Sequence, residues 1–232
     1  MYTFLDIARA IQSESAMLDA VASGKERFQF LLWQSAEPCL VVPRRMTNLA
    51  NFAEASIGAL NRGYPVSVRE TGGGAVIQAS GTVNVSIAFT MPMTMDDRIG
   101  HAYKFLCEPV MQFLRQQGAD PAYGTIEGAM CDGAYNIVVN QRKLAGTAQR
   151  WRRARANDEH YAVLAHLVLS VDTDHASTCR VVNEFHAAVG VATNVRPESH
   201  INWTEIASPV GLDAAITRVY LEASAAIMSK PL

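Results

Sequence analysis

Two runs of this 232-residue chain carry residue types that do chemistry. The first is Arg69-Glu70-Thr71-Gly72-Gly73-Gly74-Ala75-Val76, followed by Gly81-Thr82-Val83-Asn84-Val85-Ser86. Consecutive glycines offer no side chain to pack and lose the most freedom on folding, so a chain places them where its backbone must approach something closely. Val66-Ser67-Val68 before them and Val83 to Ile87 after them alternate as strands do. The pattern predicts strand, glycine loop, strand, with loop N–H groups able to meet an anion or a carbonyl. A plain hairpin turn is the alternative. Neither common phosphate-loop pattern fits, because both open a helix and Ala75-Val76 leads into a strand.

The second run is Gly133 to Arg150, with Lys143 entering a strand beside Gly146. A lysine at a close backbone approach holds a carboxylate, a phosphate or an acyl oxygen as a point charge; otherwise it is a solvated hairpin lysine. Cys131 stands twelve positions before it, in Ala129-Met130-Cys131-Asp132-Gly133. A loop cysteine near an ammonium is a candidate nucleophile, favoured as thiolate. The plainer reading is a small apolar filler. Asp132 opposes the thiolate if it points inward. His166, inside the apolar run Val163 to Leu169, is either a core histidine or a general base.

Helices are expected over residues 3–22, Asn48 to Leu60, Asp96 or Asp97 to Gln117, Thr178 to Gly190 and Gly211 to Met228, with a short one capped by Asn202 or Thr204. The third buries a stripe of Ile99, Tyr103, Leu106, Val110, Phe113 and Leu114, with Cys107 as core packing. Strands are expected at Phe28 to Trp33, Cys39 to Val42, Ala134 to Asn140, Lys143 to Ala148 and Tyr161 to Val171. Arg44-Arg45 either face an anion or form a solvated turn. Residues 119–130, and Trp151 to Asp158, read as loops. Strands and helices mix without regular alternation, which predicts an α+β fold around a mixed sheet flanked by helices.

An apolar share of 49% and a charged share of 18% suit a globular chain with a sizeable core, read as one domain spanning 1–232. A net charge of -2 argues against nucleic acid or an anionic membrane as main partner. No apolar run is long enough to span a membrane, and the N-terminus lacks the pattern of a secretion signal. The cysteines, Cys39, Cys107, Cys131 and Cys179, form no CxxC pair, so no metal site or disulfide framework is expected, and a reducing, cytoplasmic setting is the default.

Taken in order, Arg-x-Thr-Gly-Gly-Gly-Ala-Val, Asn-x-Ser and Arg-Lys-x-x-Gly-x-Ala-Gln-Arg resemble the lipoate–protein ligase and octanoyltransferase family, which includes the biotin ligases. The resemblance spans roughly residues 25–175. It implies an α+β catalytic domain that passes a lipoyl or octanoyl group to a lysine of a lipoyl carrier domain, in 2-oxoacid dehydrogenase subunits or the glycine-cleavage carrier protein. It implies that Arg69, Thr71, Gly72, Gly73, Gly74, Ala75, Val76, Asn84, Asn136, Gly146, Thr147 and Ala148 line the substrate site, and that Lys143 contacts the acyl carbonyl. Two branches stay open. A transferase takes the acyl group from a carrier, in some cases an acyl carrier protein, onto a cysteine and needs no further cofactor; Cys131, followed by Gly-x-Tyr-Asn, sits where that nucleophile is placed. A ligase uses ATP and Mg to make an acyl-adenylate. Val68-Arg69 in place of paired arginines, Gln78 in place of a histidine, Gly133 to Asn136 in place of Gly-Arg-Asn-Asp and an early end without the accessory C-terminal domain depart from the ligase pattern. The intact triple glycine is ligase-like. A non-catalytic binder of lipoate or biotin is a third reading. The arginines from Arg150 to Arg155 are a candidate docking surface for an acidic carrier.

Overall fold

The computed structural model describes residues 2–228. Its larger sheet has seven strands in the order β1 (Thr3–Leu5), β2 (Phe28–Ser35), β6 (Thr82–Pro92), β10 (His160–Ser170), β9 (Arg142–Arg153), β8 (Asn136–Val139) and β7 (Ala122–Gly124). β1 runs parallel to β2 and every other pair is antiparallel. A second sheet orders β4 (Val66–Arg69), β3 (Cys39–Pro43) and β5 (Val76–Gln78), with β4 parallel and β5 antiparallel to β3.

Alternation along β6 and β10 divides the large sheet's faces. Val83, Val85, Ile87, Leu167 and Leu169 join one core with α3 (Arg98–Gln116) and α5 (Leu212–Met228). On the other face the register places His166 beside Ser86 and Ala148, and Val168 beside Asn84 and Gly146. α1 (Ile7–Ala22) covers part of that face through Leu18 and Val21. The small sheet, backed by α2 (Phe52–Asn61) and α4 (His175–Ala188), forms a separate core. The mixed α+β architecture flanked by helices agrees with the expectation from the sequence.

Local departures have tertiary causes. Thr3–Leu5 is a strand rather than the start of the first helix, because it pairs with Trp33–Ser35 and Asp6 then caps the helix, accepting from Arg9 N at 2.8 Å. Trp151 to Arg153 continue β9 instead of forming a loop. They pair with Tyr161 to Val163, Trp151 packs edge-on to Tyr161 at 5.6 Å, and Arg152 pairs with Asp19. Ile99 is 54% exposed, so the buried stripe of α3 runs through Ala102, Leu106, Val110 and Leu114, with Cys107 in the core as expected. Ala122–Gly124 form an edge strand where a loop was expected, and Asn202 caps the short helical turn Trp203–Glu205.

Candidate active site

Cys131 sits in a turn with φ of 48°, a left-handed conformation held by its surroundings. Met130 N donates to His200 Nε2 at 3.0 Å, and Asp132 Oδ1 accepts from Ile126 N at 2.9 Å and Asn136 Nδ2 at 2.6 Å. Asp132 is therefore engaged by its own loop. His200 Nδ1 lies 2.9 Å from Arg196 O, so the neutral Nδ1–H tautomer satisfies both ring nitrogens. Burial, with His175 stacked on it at 4.9 Å, pushes the His200 pKa down to about 4.

The glycine loop closes over this turn. Gly74 N donates to Cys131 Sγ at 2.9 Å, and Arg69 Nη2 lies 3.9 Å from the same sulfur. Gly73 has φ of 97°, and a β-carbon there would overlap Cys131 Sγ; one at Gly74 would lie 3.3 Å from Cys131 Cα. Gly73 and Gly74 thus leave the space that the cysteine fills, while Gly72 faces open space. Arg69 is buried and ties the loop together, donating to Val41 O at 3.1 Å, Gly72 O at 2.9 Å and Gly74 O at 2.7 Å. Burial lowers its pKa, while Cys131 and Glu14 pull it back up. Arg45 Nη2 holds Gly73 O at 2.7 Å, and Arg44 pairs with Glu70.

Lys143 reaches the site through an irregularity. β8 pairs Ile137 with Ala145 but Val138 with Lys143, leaving Leu144 unpaired as a bulge. Leu144 turns into the core behind the sheet, and Lys143 shares the pocket face with Gly146. A β-carbon at Gly146 would lie 2.9 Å from Lys143 Nζ. The ammonium donates to Met130 O and, at 2.9 Å, to Cys131 O. Two of its three N–H groups are thus used, leaving one to meet an oxygen in the pocket. Burial lowers the Lys143 pKa, against the pull of Cys131 and Asp132.

A second polar chain crosses the site. Glu14 Oε1 is 3.0 Å from His166 Nδ1, and His166 Nε2 is 3.2 Å from Thr71 Oγ1. Ser86 donates to Glu14 Oε1 at 2.6 Å, and Trp33 Nε1 donates to Ser86 at 3.2 Å. Burial raises the Glu14 pKa, but the charge and hydrogen bond of His166, the Ser86 bond and Arg69 outweigh it and hold the carboxyl below its ordinary value. Both His166 nitrogens are engaged, so this chain fastens the glycine loop to α1 and the sheet.

These groups border a pocket between the two sheets. Its walls include Arg69, Val76, Ile77, Gly146, Thr147 and Ala148, with Cys131, Lys143, His166 and Asn84. Of the sequence-predicted residues, Thr71, Gly72, Gly73, Gly74, Ala75 and Asn136 are not among its walls, and the others converge on it. Asn136 is buried under the cysteine turn, Thr71 is buried against His166, and Ala75 packs in the small core. Gly73 and Gly74 instead line a second cleft on the outer side of the loop, and Cys131 borders both. Among the described residues no cluster of His, Cys, Asp or Glu is placed to hold a metal, and no helix is long and apolar enough to cross a membrane. Sequence reasoning missed Glu14, although it is the acid on an otherwise apolar stripe with Ala10, Leu18 and Val21. It also missed His200, for which the local sequence carries no signal.

Comparison with known proteins supplies the class. A family model described as the lipoyl protein ligase A/B catalytic domain matches residues 6–219. An uncharacterised protein of Cupriavidus necator is 36% identical over 204 residues, covering 81% of this chain and 79% of its own. An octanoyl-GcvH protein N-octanoyltransferase of Kyrpidia tusciae is 35% identical over 185 residues, covering 78% of this chain and 62% of the relative, so the match spans under two thirds of that transferase. A T. acidophilum lipoate protein ligase structure with bound lipoic acid superposes with a TM-score of 0.70 at 18% identity, over 96% of this chain and 83% of that one. A lipoate-protein ligase A structure bound with ATP gives 0.69 at 19%, with the same coverage. At such identities the likeness is one of fold. Fold and matches together define an acyltransferase or ligase catalytic domain. The chain belongs to the lipoyl protein ligase A/B catalytic domain family.

Proposed function

We propose that this protein transfers a lipoyl or octanoyl group to the lysine of a lipoyl carrier domain through an acyl thioester on Cys131, without ATP. One observation carries the reading: Gly74 N–H lies 2.9 Å from Cys131 Sγ, in space that Gly73 leaves open. A backbone donor and the Arg69 guanidinium both face the sulfur, a setting suited to a cysteine nucleophile. The Kyrpidia relative, named an octanoyl-GcvH protein N-octanoyltransferase, supports the same class.

The thiolate attacks the acyl carbonyl of a donor carrier. A C–S bond forms, the bond from the acyl carbon to the donor breaks, the departing group takes a proton from Nε2 of protonated His166, and the free N–H of Lys143 faces the developing oxyanion. The acceptor lysine then attacks the thioester. A C–N bond forms, the C–S bond breaks, and sulfur leaves as the thiolate it was. The amine proton is taken at His166 Nε2, which gives up its contact with Thr71 to do so. The donor is a glycine-cleavage carrier or an acyl carrier protein, the acceptor a 2-oxoacid dehydrogenase lipoyl domain, and the setting cytoplasmic.

The test is intact mass after incubation with an octanoylated or lipoylated carrier, ATP omitted. A hydroxylamine-labile adduct that vanishes in Cys131→Ala supports the thioester path. Carrier modification that needs free acid with Mg-ATP, with no adduct, moves the protein to the ligase branch.

A further inference from the structure

Across the sheet from the Lys143 end, the acyl pocket turns polar. Gln78 and Asn84 are 4% and 2% exposed and both line it. They form a reciprocal amide pair: Gln78 Nε2 donates to Asn84 Oδ1 at 2.7 Å, and Asn84 Nδ2 donates to Gln78 Oε1 at 2.8 Å. The single hydroxyl proton of Thr82 is shared between Ala79 O at 2.9 Å and Gln78 Oε1 at 3.0 Å. Each amide nitrogen has two N–H groups, and each uses one. The pair therefore presents two spare donors, and a spare lone pair on Asn84 Oδ1, in a buried place.

The position of the pair is set by the sheet. Gly146, Val168 and Asn84 are register partners across β9, β10 and β6. Lys143 Nζ stands over Gly146, so the acyl carbonyl belongs at that end. Asn84 is two strand spacings away, about 10 Å, within reach of a medium-length acyl tail. A methyl terminus arriving there would leave two buried donors without water or partner, a costly outcome.

We propose that the Gln78–Asn84 pair recognises a hydrogen-bond acceptor near the far end of the acyl chain, so that the preferred acyl group has a polar tail. This rests on the acyl-Cys131 reading. It orders three tails by acceptor strength: a terminal hydroxyl first, the sulfurs of a lipoyl ring second, and plain octanoyl last.

The experiment compares S-octanoyl, S-lipoyl and S-(8-hydroxyoctanoyl) N-acetylcysteamine as small donors, reading acyl-Cys131 formation by intact mass. The hydroxylated donor is expected to acylate wild type at least about tenfold faster than octanoyl, since the amides are satisfied only by the acceptor. The double variant Gln78→Met/Asn84→Leu removes both amides together, and its preference should reverse toward octanoyl. Octanoyl reacting as fast as or faster than the hydroxylated donor in wild type overturns the proposal, as does an unchanged ranking in the double variant. Thermal shifts with the three free acids give a readout independent of the thioester. If no donor forms an adduct, the acyl-Cys131 reading falls, and the ranking of free acids still decides the tail.

Discussion

Gly73 shows how a single position ties conformation to reactivity. Its φ of 97° is costly for any residue with a β-carbon, and that carbon would occupy the place of Cys131 Sγ. Gly73→Ala should lower stability by about 1–2 kcal/mol and slow acyl-Cys131 formation at least about tenfold, read by a urea melt and by intact mass; an alanine variant acylating at the wild-type rate would refute the cradle. His200 sets a pH dependence. Its folded pKa of about 4 lies below the ordinary histidine value of 6.5, so the unfolded chain binds a proton that the folded chain refuses. Stability should therefore fall as pH drops from about 6.5 toward 4, by up to about 1.4 kcal/mol per pH unit, and level off below. His175 and His186, lowered by burial, act with the same sign. Glu14, held below its ordinary value of 4.5, acts with the same sign, and its contribution fades from about that pH downward. Urea midpoints near pH 7 and pH 5 should differ less in His200→Gln than in wild type. Cys131 and Lys143 were legible in the sequence because residue type and spacing single them out. The cation nearest the sulfur was not: Lys143 grips the carbonyls of the turn while Arg69 faces Sγ, a choice made by loop packing across 62 positions of chain.

At the scale of elements, the site depends on a bulge and on one helix. The pattern of Lys143 to Ala148 predicts a strand, and β9 is one. Regular alternation would send Lys143 to the face away from Gly146, however, and it is the unpaired Leu144 that brings it back. An apolar leucine fits either face of a buried strand, so no sequence signal marks the slip. Gly146→Ala should push the ammonium, 2.9 Å from the new carbon, off the carbonyls of Met130 and Cys131. Acyl transfer is expected to fall at least about tenfold, with stability reduced by about 1 kcal/mol, the scale of one weakened charged hydrogen bond. α1 contributes Glu14, whose carboxylate joins Ser86 on β6 to His166 on β10 and, through it, to Thr71. Glu14→Gln keeps the shape but removes the charge and one acceptor geometry. It should cost about 1–3 kcal/mol in a urea melt, and loosen the glycine loop enough for faster amide exchange at Gly74. Protection at Gly74 equal to wild type would show that the loop does not depend on this tie.

At the scale of the whole molecule, the two sheets were legible as a mixed α+β arrangement, but their division was not. Short strands such as β4 and β5 give the same pattern whether they join the large sheet or stand apart, and only contacts with α2 and α4 decide. The same limit applies to surface charge. A net charge of -2 describes the chain and hides a basic strip that begins beside the site. Arg150 lies in the electrostatic neighbourhood of Glu70 on the glycine loop, and Arg44 pairs with that carboxylate. Arg152 is paired with Asp19, whereas Arg153 and Arg155 are exposed and make no ion pair among the described residues. A strip so placed would steer an acidic carrier domain toward Cys131 without touching the acyl chain. Rim charges act mainly on encounter and are screened within about 8 Å at physiological salt. Raising salt should therefore raise KM for the carrier by about threefold to tenfold while leaving acylation by a small thioester unaltered. In Arg153→Glu/Arg155→Glu the carrier KM should already be high at low salt and respond weakly to more. A salt response identical to that of wild type would place the docking surface elsewhere, on the second cleft beside Gly73 and Arg45.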